Sequence, residues 1–171
     1  YQLGNGTIEP TNIPQKLTSI SNIVQVAAGE DSSYALDYRG YVYAWGNGAS
    51  GQMATTSTYR NSPAAIYTNE AIDVAANDVA VFVTRADGTV WAVGTGNYYS
   101  FGNGKNSKYT SFTQVTGLSG IRKVVTQGNY SAFALQITEA NTSGAVYAWG
   151  YNSGQLLGTT STSASLTPTV V

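Results

Sequence analysis

Carboxylates are the side chains with the widest scope for catalysis in this sequence, because its 171 residues include no histidine and no cysteine. This absence excludes Ser-His-Asp triads, Cys-His dyads and metal sites built from imidazole or thiolate. The nine acidic residues are scattered, whereas a glycosidase needs two carboxylates about 5 to 9.5 Å apart. Asp87 is explained by a tight turn at Asp87-Gly88. The sequence therefore predicts no catalytic residue and no metal ligand.

A glycine cluster offers a second possible chemistry. Residues 46–51, Gly-Asn-Gly-Ala-Ser-Gly, have the spacing of the dinucleotide-binding motif and follow a predicted strand. That motif works only if a helix begins at the glycines and holds the pyrophosphate at its N-terminus. The segment 52–58 contains β-branched residues and no amphipathic period, so it is a poor helix start. We therefore predict no nucleotide or other cofactor.

An internal repeat explains the glycines. A motif of the form Val-aromatic-Ala-x-Gly occurs at residues 42–46, 90–94 and 146–150. A glycine stands two residues before each copy, at Gly40, Gly88 and Gly144, with spacings of 88 − 40 = 48 and 144 − 88 = 56 residues. Periods of this length indicate a solenoid or propeller, because each unit buries its apolar face only against a neighbour.

Short strands separated by glycine turns are predicted within each unit. The segments are rich in Val, Tyr, Trp and Phe, and no segment has a convincing helical period. The fold class is therefore all-β, a β-propeller of four-stranded antiparallel blades. We place the tail of a preceding blade at residues 1–17, and three blade repeats at 18–66, 67–115 (diverged) and 116–171.

A family resemblance emerges from the order of these motifs. Val-Ala-Ala-Gly, Ala-Leu, Gly-x-Val-Tyr-Ala-Trp-Gly, Gly-Gln-Leu and a closing Pro-x-x-Val resemble the repeat of the regulator of chromosome condensation family. The resemblance covers essentially the whole chain. It departs in the second unit, where Val93 replaces the Trp and Tyr99-Ser100 replaces Gly-Gln, and the third unit is one residue short before Gly154. The resemblance implies a β-propeller, usually of seven blades.

Seven residues are assigned to the repeat itself, with Trp45 and Trp149 expected to pack between blades. They are Trp45, Gly46, Gly88, Val93, Gly94, Trp149 and Gly150. Three blades do not close a ring, since propellers have about 4 to 8. We therefore expect the chain to be a piece of a larger, seven-bladed ring, with other blades of the same parent chain as partners. Closure by oligomerisation is the alternative, and the isolated chain should associate.

Composition narrows the remaining partners. Charged residues make up 10% of the chain, against about 25% in an average domain, and the formal net charge is −1. Neither nucleic acid nor membrane insertion is therefore expected. The uncharged polar composition and 13 Tyr favour an extracellular, cell-surface or virion location.

The second unit holds the candidate binding loop, because the repeat is most diverged there and Tyr suits recognition of proteins or glycans. Its residues are Tyr98, Tyr99, Phe101, Lys105, Lys108 and Tyr109. We predict a non-catalytic binding or structural propeller segment of a larger surface, secreted or virion protein, contacting proteins or glycans. The alternatives are a guanine-nucleotide exchange factor-like or chromatin-binding propeller, implied by the resemblance, and a carboxylate-based glycosidase.

Overall fold

The computed structural model describes residues 1–128, 130–137 and 144–171. These residues form three antiparallel four-stranded sheets, each with its strands in chain order. Sheet 1 contains β1 (Ile23–Ala28), β2 (Ser32–Asp37), β3 (Val42–Asn47) and β4 (Tyr59–Tyr67). Sheet 2 contains β5 (Ala71–Ala76), β6 (Ala80–Arg85), β7 (Val90–Thr95) and β8 (Lys108–Val115). Sheet 3 contains β9 (Ile121–Gln127), β10 (Ser131–Gln136), β11 (Val146–Gly150) and β12 (Ser165–Val170). The all-β prediction is confirmed.

Helical structure is limited to short 3₁₀ turns at Asn97–Tyr99 and Ser153–Gln155 in the described residues. None of the helical segments in these ranges has the length and apolar character needed to cross a membrane. Residues 1–22 form no regular strand and lie against sheet 1. The predicted turn glycine Gly144 is described, whereas residues 138–143 before it are not.

Glycines in the hairpin turns bring consecutive sheets close together. Gly40 and Gly88 end the turns between the second and third strands with φ of +84° and +79°, a conformation that glycine adopts without strain. A Cβ atom at Gly40 would lie 2.6 Å from the backbone nitrogen of Ala71, and one at Gly88 would lie 2.7 Å from Cα of Gly120. The turn glycines of the first two units therefore serve both their hairpins and the entry to the next sheet, whereas Gly144, predicted for the same role in the third unit, has no positive φ and lies against Gln136 of its own sheet.

The core lies between the sheets. Between sheets 1 and 2 it contains Tyr34, Leu36, Met53, Val74 and Val81; between sheets 2 and 3 it contains Phe82, Phe101, Ile121, Val124 and Trp149. The first strands of the sheets lie side by side and are joined through polar side chains, Gln25 and Asp73 among them. Gln25 Nε2 donates to Asp73 (2.8 Å), and the Val124 N–H donates to the other carboxylate oxygen of Asp73 (2.9 Å). Asp73 is thus buried but paired on both sides.

Two sheet faces remain open. Val26 in β1 is 72% exposed, whereas Val74 and Val124, at the same position of β5 and β9, are each 2% exposed. Leu135 in β10 is 40% exposed, whereas Leu36, its counterpart in β2, is 1% exposed. The front of sheet 1 and the back of sheet 3 therefore present the same surfaces that are buried where sheets meet.

Candidate binding surface

At two places in the molecule, the indole of a tryptophan packs on a glycine of a neighbouring loop. Trp149 of β11 is fully buried and donates its Nε1–H to the Ser100 carbonyl oxygen at 2.8 Å. A Cβ atom on Gly102 would lie 2.9 Å from Cδ1 of this indole. Trp45 of β3 repeats the arrangement, because Nε1 donates to the Gln2 carbonyl oxygen at 2.6 Å and the ring covers Gly4. Both tryptophans therefore pack against a loop that precedes their own sheet in the chain.

The junction between sheets 1 and 2 lacks this indole. Val93 takes the Trp position and is completely buried with Met53. The loop residue facing it is Ala54 rather than glycine, with φ of +52°. Gln52 is also buried and donates Nε2–H to the Asp78 carbonyl oxygen at 3.2 Å. Loss of the Trp and loss of the glycine thus occur at the same junction.

The loops that follow the motif have equal lengths in the three units, so the missing residue expected before Gly154 is not observed. The spacings are 54 − 46, 102 − 94 and 158 − 150, each eight residues. Gln155, rather than Gly154, takes the place of Gly51, and both have positive φ (+61° and +87°). The sequence alignment matched Gly154 to Gly51 and was therefore wrong by one position, because the Gly-Gln pair of the third unit stands one residue earlier in the loop than that of the first.

One end of the three sheets, which we call the loop face, carries the first turn of each sheet and the long loop between its third and fourth strands. At the junction of sheets 2 and 3, three tyrosines meet on this face. The ring centroids of Tyr98 and Tyr130 are 4.7 Å apart, those of Tyr98 and Tyr151 are 5.3 Å apart, and those of Tyr130 and Tyr151 are 6.2 Å apart. The interplanar angles are 61° to 69°, which is edge-to-face packing. Tyr98 is 51% exposed, and the other two are partly exposed.

This tyrosine cluster is not required by the repeat. The other units have Asn47 and Thr95 where this junction has Tyr151. They have Asp31 and Val79 where it has Tyr130. The positions that match Tyr98 hold Ser50 and Gly154. The backbone supports this equivalence, since the N–H of Tyr151 donates to the carbonyl oxygen of Tyr130, as that of Thr95 does to Val79. Aromatic residues at all three positions occur in one junction of the described chain.

Of the six residues of the predicted binding loop, one is buried, two are partly exposed and three are exposed. Phe101 is 1% exposed and belongs to the core, so it is not available to a partner. Tyr109 stacks on Phe101 with centroids 5.3 Å apart and accepts a hydrogen bond from Asn103. Lys108 donates Nζ–H to the Ala49 carbonyl oxygen at 2.6 Å and so fastens sheet 2 to the loop of sheet 1.

Tyr98, Lys105 and Lys108 are exposed, and Tyr99 and Tyr109 are partly exposed. Tyr98 and Tyr99 have φ of +52° and +61°, in the left-handed region that disfavours side chains with a Cβ atom. The Tyr99 N–H donates to Oδ1 of Asn106, which closes the loop. Tyr130 and Tyr151 were missed by the sequence prediction. Their signal is positional, because Tyr130 directly precedes β10 and Tyr151 directly follows the motif, where the other units carry no aromatic residue.

Two acidic residues, Asp37 and Asp87, serve hairpin turns in the structure. Burial raises the pKa of Asp37, but hydrogen bonds from the Tyr41 N–H and from Arg39 outweigh it and hold the pKa below its usual value. The Arg39 guanidinium lies 2.7 Å from the Asp37 carboxylate. At Asp87, hydrogen bonds from Thr89 lower the pKa in the same direction. Within residues 1–128, 130–137 and 144–171, no group of three or more acidic side chains is placed to hold a metal ion.

Comparison with known proteins identifies the family to which this chain belongs. Two family models described as the Regulator of chromosome condensation (RCC1) repeat match residues 1–36 and 23–52. The E3 ubiquitin-protein ligase HERC2 of Mus musculus and that of Homo sapiens are each 30% identical over 165 residues. These matches cover 92% of this chain, and the chain spans 3% of the length of either relative.

Solved structures share the fold. The crystal structure of human WBSCR16 matches with a TM-score of 0.81 and 23% identity, over 98% of this chain and 45% of that one. Prp20p from Saccharomyces cerevisiae matches with a TM-score of 0.70 and 15% identity, over 88% of this chain and 38% of that one. That structure is described together with the binding of Prp20p to Gsp1p and histones. At these identities the similarity shows the β-propeller fold alone.

Proposed function

We propose, on the premise that this chain is built from repeats of the regulator of chromosome condensation family, that it is a non-catalytic binding module whose loop face contacts a protein partner. The tyrosine cluster of Tyr98, Tyr130 and Tyr151 is the observation that carries this proposal. Tyrosine gives a large contact area and a hydrogen-bonding hydroxyl at low entropic cost. Because the three rings already pack against one another, little ordering is needed on binding.

Backbone conformation supports a role for Tyr98 beyond the repeat. Sheet 3 has Gly154 at the matching position, also with positive φ (+73°), where glycine is free of strain. A residue with a Cβ atom pays about 1 to 2 kcal/mol for this conformation. Packing of the ring on Tyr130 and Tyr151 offsets this cost, and the 51% exposure of Tyr98 leaves the ring available to a partner.

Charge and fold favour protein as the partner. With a net charge of −1 and 10% charged residues, the chain lacks the basic surface that nucleic acid requires. Prp20p, which has the same fold, is described as binding Gsp1p and histones, both proteins. A guanine-nucleotide exchange factor-like or chromatin-binding role is therefore the second candidate. Ligase activity is not proposed, because the chain covers only 3% of HERC2. Glycan binding and the extracellular, cell-surface or virion location stay predictions.

A site-specific crosslinking experiment tests the proposal. A photo-reactive amino acid at position 98 should capture a partner that the same group at position 38 does not. Tyr38 is the matched control, because it is 67% exposed and lies in a turn at the end of the sheets opposite the loop face.

Affinity measurements with the captured protein then give the decisive numbers. The triple variant Tyr98→Ala/Tyr130→Ala/Tyr151→Ala should bind at least about 30-fold more weakly, the loss expected for one interface hot spot of about 2 kcal/mol. Tyr38→Ala should leave the affinity unchanged. The proposal is wrong if the triple variant binds the partner as tightly as the unaltered protein does. It is also wrong if the chain binds glycans on an array and no protein.

A further inference from the structure

A groove between sheets 1 and 2 lies at the end of the sheets opposite the loop face, and we call it the rim groove. It is lined by Tyr67 at the end of β4 and by Arg85, Trp91 and Phe112 of sheet 2. Its volume is about 440 Å³, within the range of about 300 to 1,000 Å³ that ligand pockets occupy. Tyr67 and Phe112 pack edge-to-face across the junction, with ring centroids 4.6 Å apart. Aromatic side chains from both sheets therefore border the rim groove.

None of these four lining residues is required by the repeat. The strand register shows that sheets 1 and 3 have tyrosine where sheet 2 has Trp91, and proline where it has Phe112. They have aspartate or glutamine where sheet 2 has Arg85. Sheets 2 and 3 have valine where sheet 1 has Tyr67. Four departures from the repeat thus meet in one groove, which indicates a site rather than a part of the framework.

A chain of polar contacts holds the indole and the guanidinium of the rim groove in place. Trp91 donates Nε1–H to the Thr89 hydroxyl at 3.1 Å, and that hydroxyl donates to Oδ1 of Asp87 at 2.6 Å. The other carboxylate oxygen of Asp87 lies 3.0 Å from Nη1 of Arg85, and Arg85 donates Nε–H to the Asn69 carbonyl oxygen at 3.3 Å. Side chains fixed in this way lose little freedom when a ligand binds. Asp87 also neutralises the charge of Arg85.

Two hydrogen-bond donors of the rim groove are available to a ligand. Tyr67 is only 7% exposed, yet its hydroxyl makes no hydrogen bond within the described residues. Burial raises the pKa of Tyr67, so the hydroxyl is protonated at neutral pH. Nη2 of Arg85 likewise has no hydrogen-bond partner in this part of the chain. A ligand that brings an acceptor would satisfy a polar group that is otherwise buried without a partner.

We propose that the rim groove binds a proline-containing peptide segment in the polyproline II conformation, at a site separate from the loop face. Proline has a carbonyl acceptor and no N–H, so the segment accepts from Tyr67 and Arg85 without bringing a donor that the groove would leave unpaired. Its rings pack on aromatic faces, and its conformation is formed before binding. A carboxylate ligand is disfavoured, because Asp87 already neutralises Arg85 and the acidic Glu70 is exposed beside Asn69 of the groove.

The indole N–H signals in a proton–nitrogen correlation NMR spectrum test this proposal. The chain has three tryptophans, and Trp91→Phe identifies the signal of Trp91 by its loss. A hexaproline peptide blocked at both ends should shift that signal saturably, with a Kd at or below about 1 mM. The signals of Trp45 and Trp149, which lie outside the groove, should not move. A glycine-serine peptide and a glycine-aspartate peptide of the same length should cause no saturable shift.

Two variants connect the binding to the named side chains. Phe112→Pro installs the residue of the other sheets and should weaken hexaproline binding at least about tenfold. Tyr67→Phe keeps the ring and removes the donor, and it should weaken binding about threefold or more. Tyr41→Phe is the matched control, because Tyr41 lies at the same end of sheet 1 but outside the groove, and it should leave the Kd unchanged. Circular dichroism checks that each variant is folded.

The loop-face variant Tyr98→Ala/Tyr130→Ala/Tyr151→Ala should bind hexaproline as the unaltered protein does, so the two proposals are tested separately. The inference is overturned if hexaproline causes no saturable shift of the Trp91 signal, or if the glycine-serine peptide shifts it equally. Tighter binding of the glycine-aspartate peptide would overturn it by showing that the groove recognises a carboxylate. An unchanged Kd in folded Phe112→Pro or Tyr67→Phe would also overturn it.

Discussion

Replacing Trp149 by alanine probes the junction between sheets 2 and 3 most directly. The indole is fully buried, lies edge-to-face with Phe82 at 6.1 Å between centroids, and donates a hydrogen bond to the Ser100 carbonyl oxygen. Truncation of a buried tryptophan to alanine costs about 3 to 5 kcal/mol of unfolding free energy. Leaving a buried carbonyl without its donor adds about 1 kcal/mol. We therefore expect a loss of about 4 to 6 kcal/mol.

Trp149→Phe separates the two contributions, because it keeps most of the apolar contact and removes the N–H donor. It should cost about 1 to 2 kcal/mol. For a chain of this size the alanine variant should melt about 10 to 20 °C below the unaltered protein. Urea unfolding gives the loss of unfolding free energy of both variants, and thermal unfolding gives their melting temperatures. Both are followed by far-ultraviolet circular dichroism at low protein concentration.

Trp91→Ala is the control for these variants. Trp91 is only partly buried and its Nε1 donates to the hydroxyl of Thr89 two residues away, within its own hairpin. Its loss should cost clearly less than that of Trp149. If Trp149→Ala cost under about 1 kcal/mol, or no more than Trp91→Ala, the assignment of Trp149 as the anchor of the junction would be refuted.

Three further changes test other parts of the structure. Val93→Trp should lower stability by about 1 to 3 kcal/mol through overpacking, and Ala54→Gly in the same chain should recover part of the loss in urea unfolding. Asp73→Ala removes two hydrogen bonds between inner strands and should cost about 3 kcal/mol, with Asp73→Asn intermediate in the same assay. Because the pKa of Asp37 is lowered on folding, its stabilising contribution is present above its unfolded value of 3.8 and is lost as pH falls through the folded value. Asp37→Asn should therefore flatten the loss of melting temperature below about pH 4, and an unchanged acid limb would contradict this.

The repeat pattern predicted the architecture because it encodes backbone requirements. Gly40 and Gly88 have positive φ and almost touch the next sheet, so only glycine fits both demands. The burial of Trp45 and Trp149 could be expected for a similar reason, since a large aromatic at a repeated position needs the same environment in each unit. Features that every unit must satisfy are thus visible in the sequence.

Features that belong to one junction were not visible in this way. Tyr130 and Tyr151 join Tyr98 only because two sheets meet, and no local pattern links residues so far apart in sequence. Phe101 was assigned to the surface through its polar neighbours. Its position is apolar and buried in the other sheets too, as Met53 and Leu157 show, and that correspondence would have placed it in the core.

The pairing of Trp149 with Gly102 has a consequence for protein engineering. The indole and the glycine lie in different units, so a unit cut out at the predicted boundaries takes one half of each of two contacts with it. Grafting such a unit into another propeller would set a tryptophan over a residue with a Cβ atom, or leave a glycine uncovered. The exchangeable module is therefore the segment that keeps the Ser100 carbonyl, Gly102 and Trp149 together, residues 100–150, and chimaeras should be joined outside it.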